Sequence, residues 1–383
     1  MQIPQSLYPI PAAQTASHNL LALIRDEITG NADWLSFARY MELALYAPQL
    51  GYYTGGATKL GAAGDFTTAP EISALFGTTL ANFAAQVLPQ CTNEIMEFGA
   101  GTGKLAFDLL TELHLRHIPP QRYYIVELSG ELQRRQQELL KNFPEVIWLN
   151  TMPTAFSGLV IGNEVLDAMP VQLVKKTDSG WCEVGVSWSE DRLQWADRAL
   201  STPAILAQIP DAEALPIGYL TEVHPIGQGF MTSVSEMLRA GGTGAVVWID
   251  YGFPAAEYYL PQRDQGTLMC HYRHYAHTEP FYWPGLQDIT AHVDFSTICQ
   301  AGVNAGLECL WYTSQAGFLL HSGIGEILLR TSPEDPARYL PQSNALQKLI
   351  SPAEMGELFK VLVMGLNISL PKNLVLQDRS HRL

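Results

Sequence analysis

From residue 94 the chain alternates short apolar runs with helical stretches, and this alternation limits the fold more than any other feature. EIMEF (94–98), YYIVEL (123–128), VIWLN (146–150) and GLVIGN (158–163) predict strands. Lys104–Leu115 and Gly130–Phe143, lying between them, predict helices. Short apolar runs separated by helices are buried on both faces, which predicts a parallel sheet built from crossover units. The pattern breaks from about 171 to 226, where VQLVKK and WCEVGVSW flank Thr177–Gly180 and predict a hairpin, followed by a proline-bearing stretch. A helix (about 227–240) and the strand GAVVWID (244–250) resume it. ITAHVDFSTICQAGVNAG then predicts a helix, LECLWYTS a strand and KVLVMGL (360–366) a last strand. Upstream, residues 17–29 predict an amphipathic helix with Ser17 as N-cap and Leu20, Ile24 and Ile28 as its stripe. Helices from about Ser36 and over Glu71–Leu88 frame a long loop, Gly51–Pro70.

Composition narrows the function classes. Thirty-eight acidic against 23 basic side chains give a net charge of −15, which disfavours phosphate neutralisation and hence nucleic acid. The 383 residues, 47% of them hydrophobic, are ample for a sizeable core. Cys91, Cys182, Cys270, Cys299 and Cys309 are scattered with no C-x-x-C, so neither a disulfide framework nor a zinc site is expected. No apolar run approaches the roughly 20 residues that span a bilayer, so no membrane insertion is expected. Near the N-terminus Arg25 sits beside Asp26 and Glu27, unlike a transit peptide, and a bacterial-type cytoplasmic location is expected.

The sharpest local feature is Glu97-Phe98-Gly99-Ala100-Gly101-Thr102-Gly103-Lys104-Leu105, where the first strand gives way to a helix. A Walker A loop would need Gly at Phe98 and Ser or Thr at Leu105, so that alternative fails. A dinucleotide fingerprint wants G-x-G-x-x-G, whereas Gly99, Gly101 and Gly103 give G-x-G-x-G, which disfavours a pyrophosphate. The remaining pattern, acidic-x-G-x-G-x-G, suits S-adenosyl-L-methionine, whose ammonium group complements Glu97. Glu127 lies 24 residues beyond Gly103, at the end of the next strand. In a crossover fold that position reaches the ribose of an adenosine ligand, and a carboxylate accepts from both hydroxyls.

With these residues the chain resembles the MidA-like family of class I S-adenosylmethionine-dependent methyltransferases. The resemblance rests on GYY (51–53), GDFTTAPEIS (64–73), EFGAGTGKLA (97–106), GNEVLDAMPV (162–171), IDYGF (249–253) and PGLQDITAHVDF (284–295), and covers nearly the whole chain. It implies a Rossmann-like α/β fold: a seven-stranded, mostly parallel sheet with helices on both faces and an antiparallel last hairpin strand. It also implies an N-terminal helical segment with a Gly-rich lid loop over residues 1–90. A methyltransferase domain would occupy 91–383, with a substrate lobe inserted at about 171–226. Mitochondrial relatives look like protein arginine methyltransferases that support assembly of respiratory complex I. The implied partner is therefore a protein substrate, a respiratory-complex subunit among the candidates, and a homodimer is compatible. Two other functions stay open: a small-molecule methyltransferase, and a cofactor-independent assembly scaffold of methyltransferase fold.

Methyl transfer from a sulfonium is an in-line displacement, so the enzyme mainly positions the acceptor. Asn163, Glu164 and Asp167 follow the fourth strand at its carboxyl end, where open α/β sheets place their ligands. Glu164 could grip an arginine guanidinium bidentately, with Asp167 beside it and Asn163 facing the cofactor. The family motif makes His292 a substrate-side base or hydrogen-bond partner. Gly64, Asp65, Thr67 and Glu71 are expected in a lid over the cofactor. Glu222, in YLTEVHP, is a candidate second carboxylate for a guanidinium. His271, His274 and His277 recur every three residues, but Arg273 among them would repel a cation, and no metal is expected.

Overall fold

The structure is a computed structural model that describes residues 8–55 and 68–383. The chain divides into two compact units. The first comprises Met1–Phe66, Asp167–Gly227 and Ala255–His292, and the second Thr67–Leu166, Gln228–Pro254 and Val293–Leu383.

The second unit carries the sheet that the sequence predicts. Its strands are β1 (Glu94–Phe98), β2 (Arg122–Val126), β3 (Val146–Leu149), β4 (Gly158–Asn163), β5 (Gly244–Phe253), β6 (Glu308–Ser314) and β7 (Phe359–Leu366). Their order across the sheet is β3-β2-β1-β4-β5-β7-β6. All neighbours from β3 to β5 pair in parallel, whereas β7 runs antiparallel to both β5 and β6. This is the class I arrangement. The strand order reverses between β1 and β4, the type of point at which α/β sheets bind ligands beyond their carboxyl ends.

The flanking helices include α1 (Ala74–Val87), α2 (Lys104–Leu115), α3 (Gly130–Leu139), α4 (Pro225–Gly241) and α5 (Phe295–Asn304). Alternation along β5 shows why its sequence is apolar throughout. Ala245, Val247 and Ile249 join the core that contains Phe83 of α1 and Leu109 of α2. Trp248, on the other face, is fully buried, and its Nε1 donates to Met231 Sδ of α4 at 3.1 Å. Helices therefore cover both faces, as a parallel sheet requires.

The first unit has its own core around Leu20, Ile24, Phe37, Met41 and Val186. Its N-terminal helix runs Pro11–Gly30, with the expected stripe of Leu20, Ile24 and Ile28 buried. The helix starts six residues before Ser17 because Pro11 suits the first helical turn, and Ser17 is a buried interior residue. The expected hairpin Gln172–Thr177/Gly180–Ser189 is present, and Arg192–Ala199 adds a third antiparallel strand. A second small sheet pairs Met269–Tyr272 with Tyr275–His277 and Asp288–Thr290. Among the described residues no helix is long and apolar enough to cross a membrane.

Glycine at position 162 is a packing requirement of β4. A Cβ built there would lie 2.2 Å from Cζ3 of the buried Trp248. Gly162→Ala is expected to lower stability by about 1–3 kcal/mol, the usual cost of overpacking, as read from denaturant unfolding. An unchanged midpoint would contradict this packing.

Candidate functional site

Beyond β1 the backbone turns through three left-handed glycines before α2 begins: Gly99 (φ 63°), Gly101 (φ 55°) and Gly103 (φ 86°). Side chains strongly disfavour this region, β-branched ones most of all, which explains the spacing of the motif. The Gly103 N–H donates to the Ala100 carbonyl at 2.8 Å and tightens the turn. A Cβ on Gly99 would approach Val165 Cγ2 to 3.2 Å, so the loop packs against the turn that follows β4. Glu71 accepts a hydrogen bond from the Thr102 hydroxyl, which ties the segment before α1 to the loop. Gly64, Asp65 and Thr67 lie outside the described residues.

Beside the loop stand two carboxylates. Glu127, just past β2, is 9% exposed. Its Oε1 accepts from Ser129 N at 2.8 Å and its Oε2 from Gln136 Nε2 at 2.9 Å. The same Nε2 donates to the Gly101 carbonyl at 2.9 Å, and Gln136 Oε1 accepts from Trp148 Nε1 at 3.0 Å. Glu97 is 2% exposed and accepts from the buried Tyr123 hydroxyl at 2.7 Å. Burial pushes its carboxyl up to about 7; the Tyr123 donor opposes the shift and the Glu127 charge adds to it. Burial likewise raises the Glu127 carboxyl, against the Ser129, Gln136 and Leu128 donors.

The turn after β4 is held from below by Asp250, which is 1% exposed at the end of β5. Its Oδ2 accepts from Val165 N at 3.1 Å and Leu166 N at 2.9 Å, and its Oδ1 from Tyr251 N at 3.0 Å. Glu164 takes a left-handed conformation (φ 55°), and its N–H donates to the Ile249 carbonyl at 2.9 Å. A non-glycine residue held in this region marks a position where the surroundings overrule local preference. Asn163 Nδ2 donates to Glu164 Oε1 at 3.0 Å. Asn163 Oδ1 is buried with no hydrogen-bond partner among the described residues.

These features fit an adenosyl cofactor. The loop offers backbone with no Cβ at the exposed Gly99 and the half-buried Gly101, Glu127 keeps acceptor capacity beyond its Ser129, Gln136 and Leu128 donors, and Asn163 offers an orphaned acceptor. Gly99, Gly101, Gly103 and Glu127 are the residues that could hold it, with Glu97 buried beside them.

The remaining candidates belong to the first unit. Asp167 is 5% exposed, and its carbonyl accepts from Ala291 N at 3.0 Å. His292 is half-buried, and its backbone N–H donates to Thr267 Oγ1 at 3.0 Å. The helix expected over this stretch begins only at Phe295: Val293–Asp294 pairs with the end of β5, and Asp294 caps α5 by accepting from Ser296 N and Thr297 N. His292 thus lies between two short strands and outside the helix. The nearby His224 is held down to about 4 by burial and by His292, so it is neutral at pH 7.

Glu222 is 1% exposed and has four donors: Thr267 N and Leu268 N on Oε1, Tyr258 Oη and Thr267 Oγ1 on Oε2. Those bonds make it a strut between its strand and the 258–268 segment rather than a free guanidinium acceptor. His274 with Arg273 forms a left-handed two-residue turn, so the histidine spacing follows a hairpin and its bend.

Comparison with known proteins agrees with this geometry. Residues 77–313 match the family described as "putative S-adenosyl-L-methionine-dependent methyltransferase". A superfamily member from Burkholderia thailandensis, solved bound to S-adenosyl-homocysteine, is 49% identical with a TM-score of 0.93 over 100% of both chains. A native crystal structure from the same organism is 48% identical with a TM-score of 0.92, again over 100% of both. The Danio rerio protein named "Protein arginine methyltransferase NDUFAF7, mitochondrial" is 27% identical, covering 85% of this chain and 82% of its own.

Two outcomes are expected. Gly101→Val places a β-branched residue at φ 55° and should abolish calorimetrically detectable binding of S-adenosyl-homocysteine; retained affinity would contradict the loop assignment. Glu97→Gln tests the buried carboxyl. Between about pH 4.5 and 7 the folded state holds a proton that the unfolded chain has released, so Glu97 costs stability as pH rises through that window. Relative to the variant, the native chain should lose on the order of 3 kcal/mol between about pH 5 and 8. Parallel pH profiles would contradict the buried placement.

Proposed function

We propose that this chain, which belongs to the S-adenosyl-L-methionine-dependent methyltransferase family and uses that cofactor, transfers the methyl group to an arginine guanidinium on a protein. The observation that carries this reading is Glu164, a half-buried carboxylate fixed in a left-handed turn at the carboxyl end of β4. Relatives named as mitochondrial protein arginine methyltransferases support it.

When bound, the cofactor supplies an electrophilic methyl group on a sulfonium. The chain's own part is to present a nucleophile. A guanidinium stays protonated throughout the physiological range, so its nitrogen needs both orientation and a route for its proton. A carboxylate gives two parallel hydrogen bonds to the guanidinium plane and turns one nitrogen outward. Glu164 suits this task because Asp250 and the Ile249 carbonyl fix its backbone and Asn163 steadies one carboxylate oxygen. As the S–CH3 bond breaks and the N–CH3 bond forms, positive charge builds on the attacking nitrogen, and Glu164 is the proposed acceptor of the proton that this nitrogen then gives up. Asp167 and His292 are further proposed substrate-side residues, and a respiratory-complex subunit is a proposed target.

Incubating the protein with lysate and cofactor labelled in its methyl group separates the candidates. Label is expected in the protein fraction, as methylarginine by mass spectrometry. Glu164→Gln should lower the rate by about 10²-fold or more while S-adenosyl-homocysteine affinity changes less than about threefold. Label confined to small molecules would overturn the protein substrate, and methylation of another residue type would overturn arginine.

A further inference from the structure

Of the ten residues of α3, the one that is buried is a glutamine. The helix, GELQRRQQEL, has only two apolar side chains, Leu132 and Leu139, both half-buried on the same face as Gln136, so the glutamine is its deepest anchor. Gln136 is 0% exposed and commits both amide hydrogens, one to Gly101 O and one to Glu127 Oε2, each at 2.9 Å. The Trp148 indole N–H, a donor with no acceptor capacity, fixes which way round the amide sits. Ser129 N holds the other Glu127 oxygen. The Leu128 N–H is a further backbone donor to this carboxylate. A carboxylate offers about four acceptor sites, so with these three donors in place Glu127 keeps acceptor capacity for a ribose hydroxyl.

We propose that Gln136 is a positioning residue that sets ribose recognition, by locking the Glu127 carboxylate to the Gly101 carbonyl in a single geometry. The inference rests on Glu127 as the ribose acceptor and goes beyond it. Without the amide, Glu127 and the loop are no longer tied together, and the carboxylate is free to turn about Ser129. Trp148 acts one step further out, by orienting the amide.

The test compares affinities, by calorimetry, for S-adenosyl-homocysteine and its 2′-deoxy analogue. A hydrogen bond to a charged group predicts that the native chain prefers the ribose ligand by roughly ten- to a hundredfold. Glu127→Gln and Gln136→Met should each reduce that ratio to below about threefold. Trp148→Phe, which keeps the ring and removes the donor, should lower it by an intermediate amount. A merely structural role for Gln136 would weaken both ligands equally and leave the ratio unchanged. A native ratio retained in Gln136→Met, or in Trp148→Phe should the first variant not fold, overturns the inference while a collapse in Glu127→Gln upholds the ribose reading. No preference in the native chain overturns both.

Discussion

The left-handed course of the backbone through Gly99, Gly101 and Gly103 is the constraint on which the candidate site depends. It ends β1 abruptly, starts α2 at Lys104, and leaves Gly99 exposed where the strand order reverses. Everything around it is arranged to hold that path. Gln136 takes the Gly101 carbonyl, Glu71 takes the Thr102 hydroxyl, and Val165 closes on Gly99. None of these contacts is large. Together they turn a flexible glycine sequence into a single conformation.

Two buried carboxylates serve as backbone anchors. Asp250 gathers three N–H groups and so holds Glu164 in a conformation that glutamate disfavours. Glu222, in the other unit, gathers two N–H groups and two hydroxyls. A buried carboxylate without such donors would be costly, so each fixes the segment it bonds. Glu97 differs: one phenol serves it, and its carboxyl rises toward neutrality.

The sheet was legible because its strands are apolar on both faces: EIMEF and GLVIGN carry their burial in their composition. The glycine loop was legible for a similar reason, since its conformation admits few other residues. The strand Arg192–Ala199 was not, because RLQWADRA is an edge with polar side chains facing out. The helix expected over His292 and Asp294 gave way to a short parallel pairing with β5, a tertiary contact that no local period encodes. Glu222 looked like a ligand for a cation because a sequence shows a carboxylate and hides its donors. Gln136 left a faint signal, a glutamine between Leu132 and Leu139 on the one apolar face of its helix, but its partners come from three other segments. Asp250 appeared only as the last residue of GAVVWID and as part of IDYGF, its grip on the 165–166 backbone being invisible before the fold.

The central claim is that the adenosyl cofactor sits against the glycine loop with its ribose on Glu127. A crystal structure of this protein with S-adenosyl-homocysteine tests it most directly. The account predicts both ribose hydroxyls within hydrogen-bond distance of the Glu127 carboxylate and the ligand against the Gly99–Gly103 backbone. A ligand bound away from that loop, or a ribose held by other residues with Glu127 turned aside, would contradict it.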